Sequence, residues 1–292
     1  MREYQENVTE SSQRIRYRST NKSTTSSKLP GQRAALVVAH PGHELCVYHW
    51  LQLARPQVFI FTDGSGHSGT SRLHTTTRIL KQVGAEPGCI YGRLTDRAIY
   101  AATMNHDFDL FINLAEELAE AFLRERIEYV VGDAIEGYNP AHDICRFVIN
   151  ASIEMANRTS GDPIVNLDVL TTQPGDHLQM PVTGAISLHL DKSALEEKLR
   201  AVLGYSELAA DVDRILEQVG VDGLETECLR SVDVRESSME EQPYYELYGE
   251  RQVATGHYRQ VLRYREHVLP LAEALQQHIE RTNGRIANTD YQ

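Results

Sequence analysis

The chain reads as an α/β fold, a Rossmann-like, doubly wound, mainly parallel sheet with a helical C-terminal extension. Three observations predict it. From Gln32 to about Leu190, short apolar runs alternate with amphipathic stretches of helical length, and strands so separated need crossover connections, hence parallel pairing with both faces covered. After Asp191 the apolar spacing becomes helical throughout. With 292 residues, 41% of them apolar, the chain can bury a full core without disulfide staples.

The elements follow in order. Met1 to Pro30 is rich in Ser, Thr, Asn and Arg and lacks periodic apolar residues, so 1–30 is expected to be a flexible polar tail. The α/β domain, 31–190, opens with a strand at Ala34 to Ala39, a helix from about Glu44 to Ala54 and a strand at Val58 to Thr62. A helix from about Ser71 to Val83 stops at Gly84, and a short strand lies near Cys89 to Tyr91. Then come a long helix from Phe108 to Arg126, a strand at Glu128 to Val131, a helix from His142 to Asn157, and strands at Ile164 to Asp168 and Ile186 to Leu190. In the extension, 191–292, Ser193 caps a helix to Leu203 with Glu196 in the capping-box position, and Glu207 to Val219 ends at Gly220. A last amphipathic stretch, His257 to Ile279, is broken by Pro270. These helices carry polar faces, so they are expected to pack on the sheet domain.

Composition narrows the function classes. The formal net charge is −12, and the first 30 residues carry an excess of Lys and Arg, so the remainder is more acidic still. An anionic globule repels nucleic acid and anionic lipid, which argues against both as main partners. No apolar run reaches the ~18 residues of a membrane span and no signal-peptide pattern opens the chain, so a cytoplasmic location is expected. The four cysteines, Cys46, Cys89, Cys145 and Cys228, are scattered with no C-x-x-C pair, and read as buried free thiols.

The chemistry begins at Ala39-His40-Pro41-Gly42-His43-Glu44. Two imidazoles three residues apart stand where a buried strand runs out, the edge at which open α/β sheets keep their ligand sites. His142, in Tyr138-Asn139-Pro140-Ala141-His142-Asp143, also follows a strand and opens a helix, so His40, His43 and His142 can meet. Three protein ligands and an open position make a catalytic zinc site. H-x-x-H alone is just as well two partly buried histidines with polar partners.

Ala39 to Glu44 resembles, with two changes, the A-H-P-D-D-E signature of the LmbE or PIG-L type of zinc-dependent N-acetylglucosamine deacetylase. Asn139 to His142 stands as N-P-A-H against that family's H-P-D-H. Thr62-Asp63-Gly64 is similar to its T-D-G, Arg72 lies near its substrate-binding Arg, and Leu94-Thr95-Asp96 resembles the segment carrying a substrate-contacting Asp. The resemblance runs in order from about Ala34 to Asn157 and leaves the chain beyond residue 190 uncovered. It implies that His40 and His142 ligate zinc, or another divalent metal, with His43 replacing a ligating Asp. It also implies that Arg72 and Asp96 orient a sugar, with Tyr138 beside them.

The departures matter as much. Gly42 stands where the family has its general base, Ala141 where it has a second carboxylate, and Asn139 where a His helps stabilise the oxyanion. Three explanations stay open: a metal with three neutral ligands acidifies its water unaided, another carboxylate among Asp143, Asp133, Glu136 and Glu44 moves the proton, or a fold is kept for binding after catalysis was lost.

Gly64-Ser65-Gly66-His67-Ser68-Gly69 has the dinucleotide-binding spacing, yet it follows the second strand and Asp63 would repel a pyrophosphate. It reads instead as a flexible loop beside the site, with His67 an added polar contact. Tyr244, Tyr245, Tyr248, Tyr258 and Tyr264 concentrate aromatic rings in the extension, suited either to sugar faces or to anchoring the last helix, and His257 joins the candidate substrate contacts. The expectation is a metal-dependent hydrolase deacetylating an N-acetylated amino sugar or related glycoconjugate, with a small-molecule or glycoconjugate substrate and the oligomeric state open. The rival is an inactive deacetylase-like protein that binds a glycan or serves as a scaffold.

Overall fold

The run Ala34–Val38 forms strand β1 and is buried at every position, as a central strand covered on both faces must be. In the computed structural model, which describes residues 33–66, 68–171, 185–232 and 242–289, β1 pairs in parallel with β2 (Gln57–Thr62) and with β4 (Tyr129–Asp133). Outside them, also parallel, lie β3 (Glu86–Leu94) and β5 (Val165–Val169). Strand β7 (Thr226–Ser231) then adds antiparallel to both β5 and β6 (Ile186–His189), so the seven strands run β3-β2-β1-β4-β5-β7-β6. The predicted fold class is the one that forms. The predicted tail and His67 lie outside the described residues.

Helices cover both faces. On one face α4 (Phe108–Glu125), α5 (Pro140–Ser160) and α9 (Leu269–Thr289) bury Phe111, Leu118, Phe122, Ile144, Val148, Leu271 and Leu275 against Val37, Phe59 and Val130. On the other, α1 (Tyr48–Ala54), α2 (Leu73–Val83) and α6 (Lys192–Leu203) bury Trp50, Leu51, Ile79, Leu80 and Val202 against Leu36, Val38, Ile60 and Val131. The alternation along β1 and β4 sends successive side chains to opposite faces, which is why both clusters draw on the same strands.

Several expectations need correction. The helix expected from Glu44 begins as a 3-10 turn, His43–Val47, before α1, and Gly42 enters that turn with φ at 109°. Strand β3 is nine residues long, and a helix α3 (Asp96–Met104) follows it with Thr95 Oγ1 accepting from Ala98 N. The extension is not purely helical: β7 lies within it, followed by an unexpected helix α8 (Tyr244–Ala254), while α7 (Ala209–Val219) is close to its predicted span. Asp191, not Ser193, caps α6. From His257 no helix forms until a π-helical turn, Tyr264–Val268, leads into α9. All four cysteines are free, but Cys89 is exposed and of the four only Cys145 is fully buried.

The strand order reverses between β1 and β4, the switch point where the loops leaving two neighbouring strands part and a crevice opens. β4 approaches β1 and α5 so closely there that a Cβ on Gly132 would lie 2.5 Å from both Val37 O and Ile149 Cδ1. Only glycine fits at that point. The next residue, Asp133, is thereby delivered under the loop leaving β1.

Candidate metal centre

The loop after β1 carries His40 and His43, and α5 carries His142 in its first turn. The structure brings the three imidazoles together at the switch point. Their ring centroids are 5.3 Å (His40–His43), 5.3 Å (His40–His142) and 4.5 Å (His43–His142) apart, all at steep interplanar angles. Imidazoles sharing a tetrahedral zinc through nitrogens at about 2.0–2.1 Å have centroids about 5 Å apart. The spacing fits. Among the described residues no group of three or more His, Cys, Asp or Glu side chains stands in a geometry that could hold a metal ion as it is, so the triad has ligand spacing without ligand geometry.

Each ring is held from behind through Nδ1. His40 Nδ1 lies 2.8 Å from Thr62 Oγ1 and 2.8 Å from Asp96 Oδ1. Thr62 spends its hydroxyl proton on Ala39 O, 3.0 Å away, so it can only accept from the imidazole. His43 Nδ1 lies 2.8 Å from Asp133 Oδ1, while Asp133 Oδ2 accepts from Ala39 N at 2.7 Å. His142 Nδ1 lies 3.2 Å from Thr171 Oγ1, which donates on to Glu136, whose Oε2 is 3.9 Å from the same ring nitrogen. All three networks place the proton on Nδ1 and leave Nε2 with its lone pair. That is the tautomer and outer-partner arrangement of metal-ligating histidines.

Electrostatics favour the neutral ring at His40 and the charged ring at His142. Burial drives the His40 imidazole down to about 4 against the opposing pull of Asp96, so it is neutral at physiological pH. Burial alone would raise Asp133, but the neighbouring His43, its hydrogen bond and His142 hold it at about 2, an ionised acceptor. Asp96, likewise raised by burial but lowered by His40 and the Gly66 N–H, stays well below the usual carboxylate range. For His142, burial pushes down, yet Glu136, Asp133 and Asp143 outweigh it and raise the ring.

The carboxylates considered as bases stand behind the histidines. Glu44 is wholly buried, accepting from Gly42 N at 2.6 Å and Thr76 Oγ1 at 2.6 Å. Asp143, pushed up to about 7 by burial, takes the backbone N–H groups of Glu136 and Gly137 at 3.0 and 3.2 Å. Neither these nor Asp133 and Glu136 line the cavity beside the triad. Asp143, expected among the catalytic residues, lies behind the triad and holds the loop that carries Tyr138 and Asn139.

Gly42 shows why no base stands where the motif would put one. A Cβ there would lie 2.4 Å from Leu208 Cδ1, so an aliphatic side chain just before α7 occupies that position, and the φ of 109° disfavours any side chain. The sequence alone carried no signal of Leu208.

A cavity of about 660 Å³ opens on the triad, lined among others by Arg72, Tyr138, Asn139, Thr171 and Tyr244. Asn139 caps α5 through Oδ1, which accepts from Ala141 N at 2.9 Å and from Tyr100 Oη at 3.1 Å, leaving Nδ2 3.5 Å from His40 Nε2. Its amide is thus aimed at the metal position. Arg72 reaches the cavity with its Nε buried and unpaired. Tyr138 stacks on Tyr244 at 5.1 Å and 4°, Tyr248 follows at 6.3 Å, and the Arg251 guanidinium lies 5.8 Å from the Tyr244 ring centre. Two expected substrate contacts lie off this wall. Asp96 is an outer partner of His40 and absent from the cavity wall; His257 is exposed, paired with Thr255 Oγ1 at 2.8 Å, and also off that wall. The glycine loop uses its N–H groups on carboxylates, Ser65 N on Asp63 and Gly66 N on Asp96 of α3, which leaves no open phosphate cradle at those positions.

No protein-family model and no curated protein matches the chain. Among solved structures, a deacetylase–bog complex from the teicoplanin biosynthesis pathway aligns at 16% identity over 70% of this chain and 100% of its own, with TM-score 0.49. The A40926 pseudoaglycone deacetylase Dbv21 aligns at 19% identity over 72% and 99%, with TM-score 0.49. The conserved protein TT1542 from Thermus thermophilus aligns at 16% identity over 71% and 100%, with TM-score 0.44.

Proposed function

We propose that this chain is a metal-dependent amide hydrolase that deacylates an N-acylated amino sugar or related glycoconjugate, with His40, His43 and His142 as zinc ligands. The observation that carries this reading is the triad itself: three imidazoles at ligand spacing, every Nδ1 beside an outer partner, with the Nε2 of His40 facing only the Asn139 amide. Zinc in such a set supplies a Lewis acid for the amide carbonyl and nucleophilic water at neutral pH.

The chain's own residues supply the rest. Asp96, Asp133 and the Thr171–Glu136 pair hold the ring orientations and keep Nδ1 protonated. Asn139 Nδ2 is the donor placed to stabilise charge developing on the carbonyl oxygen, a contribution of the oxyanion-hole kind. Arg72, on the cavity wall, offers its guanidinium to substrate hydroxyls, and the stacked Tyr138 and Tyr244 present flat apolar faces with polar tips to a sugar ring. With the candidate carboxylates off the cavity wall, the reading that fits best is a site in which a zinc held by three imidazoles would itself lower the pKa of its water without a neighbouring base.

One observation favours the second reading, a non-catalytic glycan binder: Leu208 fills the place of a base. Metal content and turnover separate the two. The hydrolase reading expects equimolar zinc by elemental analysis, its loss in His40→Ala and His142→Ala, and release of free amine from N-acetylglucosamine conjugates. Zinc without turnover on any conjugate favours the binder; no zinc in the wild-type chain ends the metal reading and leaves the binder.

A further inference from the structure

The cavity is far larger than an acetyl group needs, and one of its walls is aliphatic. Leu45 follows His43 on the 3-10 turn, Leu170 follows β5, Val202 lies on α6, Leu208 precedes α7, and Val212 and Ile215 are on α7; all line the same space. Leu208 touches the backbone at Gly42, between the two loop histidines, so this wall starts at the triad itself. Its buried ion pair, Lys198 Nζ to Glu227 Oε1 at 2.9 Å, is self-neutralised, with Glu227 also accepting from His49 N and Trp50 N. The pairable charges Asp211 and Arg214 are exposed and bound to each other. The stacked tyrosines line the cavity too, so it offers an aromatic surface and an aliphatic one around a single metal position.

We propose that the aliphatic wall under α6 and α7 is an alkyl subsite, and that the N-acyl group removed is a chain longer than acetyl, laid along Leu208, Val212 and Ile215 while the sugar stacks at Tyr138 and Tyr244. This rests on the amide hydrolase reading above. An amide spans such a site naturally, its carbonyl at the metal with the amine side and the acyl side leaving in different directions. Hydrolysis breaks the C–N bond, the water oxygen going to the acyl carbon and both water protons to the leaving amine, so the products are an amino sugar ammonium and a fatty-acid carboxylate. Each methylene seated on the wall strengthens binding by about fourfold.

Two measurements on the full chain test this. Fluorescence of dansyl-undecanoic acid reads the subsite without metal or turnover: it should rise on binding and be reversed by octanoate or decanoate but not by acetate. Ile215→Trp and, separately, Leu208→Trp should weaken that binding at least tenfold while the thermal midpoint shows the variant folded. The second measurement compares kcat/KM for N-acetyl-, N-butanoyl-, N-hexanoyl- and N-octanoylglucosamine with zinc bound, expecting a rise with length and a fall in the octanoyl-to-acetyl ratio in Ile215→Trp. Failure of the probe to bind, binding unaltered in both folded variants, or acetyl hydrolysed as well as octanoyl overturns the alkyl subsite and leaves the hydrolase reading standing. Probe binding lost in the variants, with no N-acyl sugar hydrolysed, upholds the subsite and overturns the hydrolase reading.

Discussion

Gly42 is where this chain departs most consequentially from the motif it resembles, and the departure involves two residues. An Asp placed there must adopt φ near 109° and displace Leu208 Cδ1 from 2.4 Å. Backbone strain of that kind costs about 1–3 kcal/mol, and the displaced atom is the end of a flexible side chain, so relief is available. Gly42→Asp alone should lose about 1–3 kcal/mol in urea denaturation and gain no activity. In the double variant with Leu208→Ala part of that loss should return, and N-acetyl hydrolysis should rise toward the ~10²-fold that a positioned base supplies. A double-mutant cycle with no coupling between positions 42 and 208 would refute the steric account. The outer partners are a second residue-scale matter. Asp133→Asn places an amide N–H against either Ala39 N–H or His43 Nδ1–H, whichever way it flips, since Asp133 accepts from both. Zinc affinity in a competition titration should fall 10–100-fold. Of the site, the three histidines were legible because each follows a strand end. Thr62, Thr171 and Leu208 were not, because their partners lie 22, 29 and more residues away and no local pattern marks such a pairing.

At the scale of elements, apolar runs made β1, β2 and β4 readable, and helical spacing did the same for α2, α4 and α5. Strand β7 was hidden by its polar residues. In Thr226–Ser231 the inward positions are Glu227 and Leu229, at 1% and 0% exposure, so a buried carboxylate stands where alternation leads one to expect an apolar side chain. The reason for that carboxylate is α1. This short helix has no side-chain cap, and Glu227 reaches across to accept from His49 N and Trp50 N at 2.8 Å each, satisfying donors a helix start leaves unpaired. Lys198 then neutralises it. Glu227→Gln leaves the Lys198 ammonium buried and uncompensated, so about 3–5 kcal/mol of stability should be lost by chemical denaturation. Adding Lys198→Met should recover part of it, because the stranded charge is then gone. Equal losses in the single and double variants would show that the N–H contacts, not the charge, carry the effect. Helix α3 was missed for the opposite reason: Thr95 and Asp96 are a cap and first turn, but in sequence they resembled a ligand-binding segment.

At the scale of the molecule, the question is whether the C-terminal segment is a separate module. The structure makes it part of both cores. Val202 and Tyr205 pack with Trp50 and Leu51 on one face, while Leu271, Leu275 and Ile279 of α9 pack with the α4 and α5 side chains on the other. Helix α5 carries His142, so the packing of α9 bears on the site as well as on stability. Leu271 is wholly buried, and replacing it with Ala should cost about 2–5 kcal/mol, the transfer of the lost methyl groups plus the cavity they leave. The single tryptophan, Trp50, sits on the opposite face of the sheet from Leu271 and so reports on the other core. In one cooperative unit, far-UV ellipticity and Trp50 fluorescence share a transition in the wild type and move together in Leu271→Ala. A docked but independent module would behave otherwise: the ellipticity transition would shift and broaden while the Trp50 transition stayed at its wild-type midpoint. Integration is expected because β7 joins β5 to β6 within the sheet, so residues 226–231 cannot leave without breaking the hydrogen-bonded ladder between strands that precede them in the chain.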